Sequence, residues 1–192
     1  MRRLIGLKKT RSAVFISGTG SNLKNLIKFS NKKNSPISIK LIISNNKKAK
    51  GLKYSNQFKI KKKIINFKNQ KSAEIKISKI LLKNKINFIC LAGFMKILSK
   101  NFIKRFKGII INIHPSLLPK YKGLNTHAKV IKNKEKFSGC TVHFVSTKLD
   151  SGKIIMQKKV KISNKDSVFS LKRKVQKKEY KIYPEAIKKV LI

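Results

Sequence analysis

The order of apolar and polar residues along this chain predicts strands that alternate with helices. Short apolar runs bounded by Gly, Pro or Asn are typical of buried strands, and apolar residues three and four apart are typical of amphipathic helices. Strands are predicted over residues 12–17, 37–44, 63–66, 88–92, 108–113, 141–146 and 153–160. Helices are predicted over residues 21–30, 47–58, 72–85, 99–108, 127–133 and 166–190. This alternation predicts an open, mainly parallel α/β sheet with helices on both faces.

The chain shows no internal division. No repeat, proline-rich linker or change of composition interrupts its 192 residues, so we expect a single domain over 1–192, with halves of about 12–92 and 93–192. The longest apolar run, FICLAGFM, is far shorter than the roughly 20 residues of a membrane span. The basic start, MRRLIGLKKTRS, lacks the apolar centre of a signal peptide. A cytoplasmic protein is therefore expected.

One predicted helix shows its apolar face in the sequence. The segment SAEIKISKILLKNK repeats apolar residues at three- and four-residue spacing. We expect its core-facing side to carry Ile75, Ile77, Ile80 and Leu81.

The net charge changes the range of functions to be considered. Forty-nine Lys and Arg against six Asp and Glu give +43, which favours nucleic acid as a partner. The excess is mostly Lys, is spread over the chain and accompanies much Asn and Ile, whose codons are A/T-rich, so drift in an A/T-rich genome is the preferred explanation. A basic nucleic-acid-binding protein stays open as the alternative. Otherwise we expect attraction of anionic substrates and only non-specific nucleic-acid binding at low salt.

Cysteine and histidine usage limits the chemistry. Cys90 and Cys140 lie in apolar surroundings outside any Cys-x-x-Cys pattern, and are predicted to be buried, unreactive thiols. His114, His127 and His143 are the only histidines, and no His-Glu-x-x-His motif is present. We therefore expect no metal site.

A glycine-containing turn joins the first predicted strand to the first helix. Its sequence is SGTGSN, and Leu23 stands where the dinucleotide-binding pattern needs a third glycine. Glycines allow a close backbone approach, and a helix N-terminus offers free N–H groups to an anion. Gly20, Ser21 and Asn22 are therefore candidates to hold a single phosphate, although a tight turn without a ligand would have the same pattern.

The most informative segment is INIHPSLLPKYKG. Asn112 and His114 are two residues apart, so at the end of a strand they face the same side. Pro115 and Pro119 then direct the chain away from the sheet. A carboxamide beside an imidazole can stabilise an oxyanion and move a proton.

The chain has only six acidic residues, so we consider individual ones as candidate site residues. Asp150, in the turn KLDSG, is expected to lie at a strand end, where its carboxylate would favour a protonated His114. Glu179 on the last predicted helix could equally be a solvated surface charge.

Together, SGTGSN, LAGFMKILS, NIHPSLLPKYKGLNTH, VHFV and LDSG, in this order, resemble the glycinamide ribonucleotide formyltransferases from about residue 13 to 184. The resemblance implies a Rossmann-like fold and formyl transfer from 10-formyltetrahydrofolate to glycinamide ribonucleotide in purine synthesis. The substrate amine would attack the formyl carbon directly, through a tetrahedral oxyanion. Asn125 and Lys122 stand where the family often has His and Pro.

The resemblance also implies a role for particular residues. The catalytic group would be Asn112, His114 and Asp150. The substrate phosphate would be held by Gly20, Ser21 and Asn22, and its ribose and amine-bearing part by Gln176 and Glu179. The folate would contact the 146–150 loop and Met95, Lys96, Ile97, Leu98 and Lys71.

Two acceptors other than glycinamide ribonucleotide stay open on the same fold. A methionyl-tRNA formyltransferase needs an additional tRNA-binding domain, for which 192 residues leave no room. A formyltetrahydrofolate hydrolase would have no use for a phosphate loop. Whether the protein is a monomer or a homodimer is left undecided.

Overall fold

The computed structural model describes residues 9–192, so most of the basic start of the chain, residues 1–8, lies outside the described part. Within this described part, seven strands are formed: β1 (Thr10–Ile16), β2 (Ile37–Ser44), β3 (Lys61–Ile64), β4 (Phe88–Leu91), β5 (Ile109–His114), β6 (Phe137–Phe144) and β7 (Ile154–Lys161). They alternate with helices: α1 (Ser21–Ser30), α2 (Lys53–Gln57), α3 (Gln70–Lys83), α4 (Lys100–Arg105), α5 (Thr126–Lys132) and α6 (Val168–Leu191).

The strands form one sheet in the order β3-β2-β1-β4-β5-β6-β7. The first five strands run parallel, whereas β6 is antiparallel to β5 and β7 is antiparallel to β6. The predicted open, mainly parallel α/β sheet is therefore confirmed. The carboxyl ends of β1, β4 and β5 meet at one edge, which is where ligands bind in such sheets.

The sheet separates two hydrophobic clusters, because successive side chains of a strand point to opposite faces. On β1, Val14 and Ile16 belong to one cluster, together with residues of α1 and α6. Ala13 and Phe15 belong to the other, with residues of α3 and α4. Helices thus cover both faces, as predicted.

Both cysteines are free and buried, in agreement with the sequence. Burial raises the pKa of Cys140 to about 12, and it raises the pKa of Cys90 still further above the usual range. The thiols therefore stay protonated at neutral pH.

Several predicted boundaries were wrong. Strand β3 begins at Lys61 instead of 63, and all four of its residues are exposed at the sheet edge. The predicted helix over 47–58 is instead a 3-10 turn at Lys50–Leu52 followed by the short α2. The predicted helix over 99–108 ends at Arg105, because Phe106 adopts an extended conformation. Strand β6 begins at Phe137, four residues before the predicted start.

The predicted apolar face of α3 contains one error. Ile77 and Leu81 are buried, as expected, but Ile75 is 48% exposed. Two residues correspond to about 200° around an α-helix, so Ile75 and Ile77 cannot share a face.

No helix between residues 9 and 192 is long and apolar enough to cross a membrane. The expectations of a cytoplasmic location and of a monomer or homodimer stay predictions.

Candidate active site

Asn112 and His114 lie at the carboxyl end of β5, as the sequence predicted. They are paired with β6 in antiparallel register, so that Asn112 is opposite His143 and His114 is opposite Thr141. His114 is only 5% exposed, in a pocket of polar groups supplied by the loops after β5 and β6.

Both ring nitrogens of His114 have a protein neighbour. Nε2 lies 2.8 Å from the backbone carbonyl oxygen of Tyr121, and Nδ1 lies 3.4 Å from Oδ2 of Asp150. A carbonyl oxygen only accepts hydrogen bonds, so Nε2 carries a proton in this arrangement. The carboxylate of Asp150 is also an acceptor, so the ring has an acceptor beside each of its nitrogens.

Asp150 reaches His114 because the loop after β6 turns back on itself. The loop leaves the sheet where Val145 N donates to the carbonyl of Ile110, and Asp150 has a φ of 43°. Gly152 permits the turn, since a Cβ there would lie 1.7 Å from the Phe144 carbonyl oxygen. Oδ2 of Asp150 also accepts a 2.8 Å hydrogen bond from Gly123 N, which fixes the carboxylate between two loops.

His143 is a site residue to which the sequence reasoning gave no role. Its Nε2 lies 3.2 Å from Asn112 Nδ2 and 3.7 Å from Oδ1 of Asp150, while Nδ1 donates to the Phe144 carbonyl at 2.8 Å. Burial lowers the pKa of His143, against smaller upward effects of that carbonyl and of Asp150. A neutral His143 accepts from the Asn112 amide and fixes its orientation. His143 lies in the motif VHFV of the sequence, but only the antiparallel register of β5 and β6 shows that it lies beside Asn112.

The loop after β5 is attached to β6 and β7. Thr141 Oγ1 donates to the Ser116 carbonyl at 2.7 Å and accepts from Leu118 N at 3.1 Å. Gln157 Nε2 donates to the Leu118 carbonyl at 2.8 Å. These contacts fix the start of the loop that carries Tyr121, and the sequence reasoning missed them.

The predicted phosphate loop lies at the carboxyl end of β1. Gly20 caps α1 with a φ of 71°, and a Cβ there would lie 2.6 Å from the Cα of Gly51. The first intrahelical bond runs from Lys24 N to the Gly20 carbonyl, so the N–H groups of the first turn before it have no acceptor within the helix. Such groups form an anion site.

The structure brings this loop together with Gln176 and Glu179 of α6. Gln176 Nε2 donates to Ser21 Oγ at 2.9 Å, and Asn22 Nδ2 donates to Glu179 Oε2 at 2.8 Å. Glu179 is 8% exposed, so it is not the solvated charge of the simpler interpretation, and burial raises its pKa. Asn22 Oδ1 is buried without a hydrogen-bond partner in the described part of the protein.

The segment after β4 carries the predicted folate residues. Met95 and Ile97 are exposed by 61% and 66%, and Lys96 is exposed as well. Leu98 is only 6% exposed and packs in the core, so any contact with a ligand would come from its backbone. Lys71 lies exposed in the first turn of α3, next to Gln70, whose side chain donates to the Ile97 carbonyl.

A buried carboxylate supports this segment from below. Glu74 of α3 accepts from Ser99 N at 2.7 Å, from the Ser99 hydroxyl and from Gln70 Nε2. Within residues 9–192 no group of three or more His, Cys, Asp or Glu side chains is arranged to hold a metal ion.

Residues 10–187 match the sequence profile of the family described as formyl transferase. The chain belongs to this family. It is 41% identical to the phosphoribosylglycinamide formyltransferase of Haemophilus influenzae, over 92% of this chain and 84% of that protein. It is also 41% identical to the human trifunctional purine biosynthetic protein adenosine-3, of whose length it spans only 18%.

Solved structures agree with this family membership. The phosphoribosylglycinamide formyltransferase of Brucella melitensis has a TM-score of 0.90 and 36% identity, over 96% of each chain. That of Anaplasma phagocytophilum has a TM-score of 0.87 and 40% identity, over 94% of this chain and 86% of the other. These matches confirm the resemblance noted in the sequence, both in family membership and in fold.

Proposed function

We propose that this protein transfers the formyl group of 10-formyltetrahydrofolate to the amine of glycinamide ribonucleotide in purine biosynthesis. The observation that carries the proposal is the cluster of Asn112, His114 and Asp150 at the same sheet edge as the loop of Gly20 and Ser21. The cluster of Asn112, His114 and Asp150 is suited to catalysing an acyl transfer, and the loop of Gly20 and Ser21 is suited to binding a phosphate. Phosphoribosylglycinamide formyltransferases that cover most of the chain support the same choice.

The predicted folate residues fit a flat donor with an acidic tail. Met95 and Ile97 present apolar surface to solvent beside the sheet edge, which suits an aromatic ring system. Lys71 and Lys76 line a shallow groove on α3 that suits carboxylates. The donor supplies the formyl group, and the described residues need only bind it and polarise its carbonyl.

In the proposed reaction, Asn112 and His114 stabilise the oxygen of the formyl group as the amine attacks. One N–H of the Asn112 amide donates to His143 Nε2, and the second N–H can donate to the developing oxyanion. The ring of His114, whose two nitrogens lie beside the Tyr121 carbonyl and Asp150 Oδ2, would in its protonated form add positive charge beside the oxyanion. Because these groups are buried and already oriented, little reorganisation is needed during the reaction.

As the new bond between the amine and the formyl carbon forms, the bond between that carbon and N10 of the folate breaks. The attacking amine loses one proton, N10 gains one, and tetrahydrofolate leaves. His114 Nδ1 and Asp150 are the groups of the catalytic cluster that can relay this proton.

At the other end of the substrate, the first turn of α1 would bind the phosphate. Gln176 and Glu179 lie beside that turn, where they can accept hydrogen bonds from hydroxyl or amine groups of the substrate.

The proposal is tested by formyl transfer with three acceptors: glycinamide ribonucleotide, methionyl-tRNA and water. We expect turnover with the first alone, at several salt concentrations. His114→Ala should lower kcat by about 10²–10³-fold, the usual effect of losing one oxyanion donor, with an unchanged circular dichroism spectrum. An inactive wild-type protein, or a fully active His114→Ala variant, would contradict the proposal.

The nucleic-acid alternative has a different signature. It predicts tight, steeply salt-dependent binding of DNA or RNA without formyl transfer. Weak binding at low salt follows from the net charge of +43 in either case, so only the absence of turnover would support that alternative.

A further inference from the structure

Tyr121 connects the catalytic histidine to a distant carboxylate. Its backbone carbonyl accepts from His114 Nε2, and its hydroxyl donates to Oε1 of Glu135 at 2.7 Å. Asn133 Nδ2 donates to the same hydroxyl at 2.9 Å. The two ends of Tyr121 thus contact the site and the turn that follows α5.

The backbone of Tyr121 makes this connection rigid. Its φ is 57°, which is unusual for a residue with a side chain, and its ring packs against the core cluster of α1 and α6. The hydroxyl of Ser116 donates to the Lys120 carbonyl at 2.7 Å and lies 3.3 Å from the Tyr121 carbonyl. A residue held at its backbone and at the tip of its ring has little freedom to rotate.

Glu135 receives two donors from this loop. Besides Tyr121, Lys120 Nζ lies 3.0 Å from the same Oε1 atom, with side-chain exposures of 67% for Lys120 and 26% for Glu135. The hydrogen bonds of Tyr121 and then Lys120 lower the pKa of Glu135, so the carboxylate is charged at neutral pH. A charged acceptor makes a stronger hydrogen bond than a neutral one.

We propose that Glu135 is a positioning residue for the formyl transfer, because it holds Tyr121 so that the Tyr121 carbonyl fixes the ring of His114. Glu135 touches neither the reacting atoms nor His114. Its effect is on the ring of His114: the carbonyl keeps a proton on Nε2 and so holds Nδ1 towards Asp150. This inference rests on the proposed role of His114.

Other ionisable groups also act on His114. Asp150 lies against Nδ1, His143 lies on the other side of that carboxylate, and the charge of His114 affects His127 on α5. None of them contacts Nε2 in the described structure. The Tyr121 carbonyl is therefore the contact that holds Nε2, as Asp150 is the contact at Nδ1.

The experiment compares Glu135→Ala and Glu135→Gln with Glu185→Ala, which removes the same charge from an exposed position of α6. We expect Glu135→Ala to lower kcat about tenfold, since the loss of one charged hydrogen bond is of this size, with substrate KM values unchanged within about twofold. Glu135→Gln keeps an acceptor oxygen and should recover most of the rate. Glu185→Ala should behave as wild type.

The tautomer is measured without substrate, from the ring ¹⁵N signals of labelled protein, with the His114 signals assigned by their loss in His114→Asn. In wild type, neutral His114 should carry its proton on Nε2. In Glu135→Ala, the two nitrogens should move towards a mixture of tautomers. If Glu135→Ala gives the same nitrogen signals as Glu185→Ala, the inference is wrong, whether or not the protein transfers formyl groups.

A double-mutant cycle tests whether Glu135 acts through Tyr121. Tyr121→Phe removes the hydroxyl and keeps the ring, and Glu135→Ala in this background should change kcat less than about twofold further. Full additivity of the two effects would overturn the inference, as would a change confined to KM. Should Glu135→Ala fail to fold, Tyr121→Phe must by itself change both kcat and the His114 nitrogen signals.

Discussion

The two polar clusters at the sheet edge differ in how completely they are satisfied. Around His114, each nitrogen of the imidazole lies beside a protein acceptor, and Oδ2 of Asp150 accepts from Gly123 N. At the start of α1, Asn22 Oδ1 is buried without a partner in the described residues, and the first N–H groups have no acceptor within the helix. The ring of His114 is thus held by contacts within the protein, whereas the start of α1 offers free N–H groups to a ligand.

This difference suggests that one cluster serves catalysis and the other serves substrate binding. A cluster whose orientation is fixed in advance is suited to stabilising a transition state, and its loss should appear in kcat. A cluster with unpaired N–H donors is suited to binding a ground-state anion such as phosphate, and its loss should appear in KM. Variants of the two clusters should therefore differ in which kinetic constant changes.

The largest effect is expected in the first cluster. Asp150→Asn removes the negative charge beside Nδ1 of His114 and weakens the acceptor for Gly123 N. We expect kcat to fall about 10²–10³-fold, within the range found for single electrostatic contributions, and the acceptor KM to change less than about twofold. Steady-state kinetics of this variant beside Glu185→Gln would show it. Retention of more than a third of kcat would remove Asp150 from the mechanism.

The second cluster is tested by Gly20→Ala. A Cβ at Gly20 would lie 2.6 Å from the Cα of Gly51, in a backbone conformation that disfavours side chains. We expect the acceptor KM to rise about tenfold or more and the free energy of unfolding to fall by about 1–3 kcal/mol, the usual cost of such strain. Gly18→Ala is the matched control, because nothing lies within 4 Å of a Cβ there. Equal KM values for both variants would argue against a phosphate site.

A smaller effect is expected where Glu74 supports the segment of Met95 and Ile97. Glu74→Gln replaces one carboxylate oxygen by a donor that faces the donors of Ser99 and Gln70. We expect the folate KM to rise several-fold, and stability to fall by about 1–3 kcal/mol, as for other unsatisfied buried groups. Urea unfolding and kinetics with varied folate would measure both. An unchanged folate KM in a destabilised variant would limit Glu74 to the fold.

The smallest effect concerns His127 of α5. Burial, and then the charges of Lys172 and His114, lower its pKa from 6.5 to about 4. Between these values the unfolded chain binds more protons than the folded one, so the free energy of unfolding falls as pH drops through this window. His127→Gln should show a weaker loss of stability between pH 7 and pH 5, by urea unfolding at each pH. An identical pH dependence in both proteins would mean that His127 does not contribute.

The sequence predicted the architecture well where the pattern was local. Buried strands such as β1 and β2, and the amphipathic α1, have their apolar residues at regular spacing, and they were placed correctly. Strand β3 was misplaced because its lysines lie exposed at an edge, where neither burial nor alternation marks a strand.

The candidate site was predictable only to the level of its motifs. Asn112, His114 and Asp150 could be named from the sequence, and the structure brings Asp150 to His114. His143 and Tyr121 could not be assigned, because their contacts depend on the antiparallel register of β6 and on a left-handed backbone at Tyr121. Neither feature has a periodic signal in the sequence.

The separate roles of the two clusters are tested most directly by comparing glycinamide ribonucleotide with the same acceptor lacking its phosphate. We measure kcat and KM for both acceptors, with wild type and with Gly20→Ala. The account predicts that removing the phosphate raises KM strongly at nearly constant kcat, and that Gly20→Ala raises KM only for the phosphorylated acceptor. Equal KM values for the two acceptors in wild type would contradict the assignment of the loop at Gly20, Ser21 and Asn22.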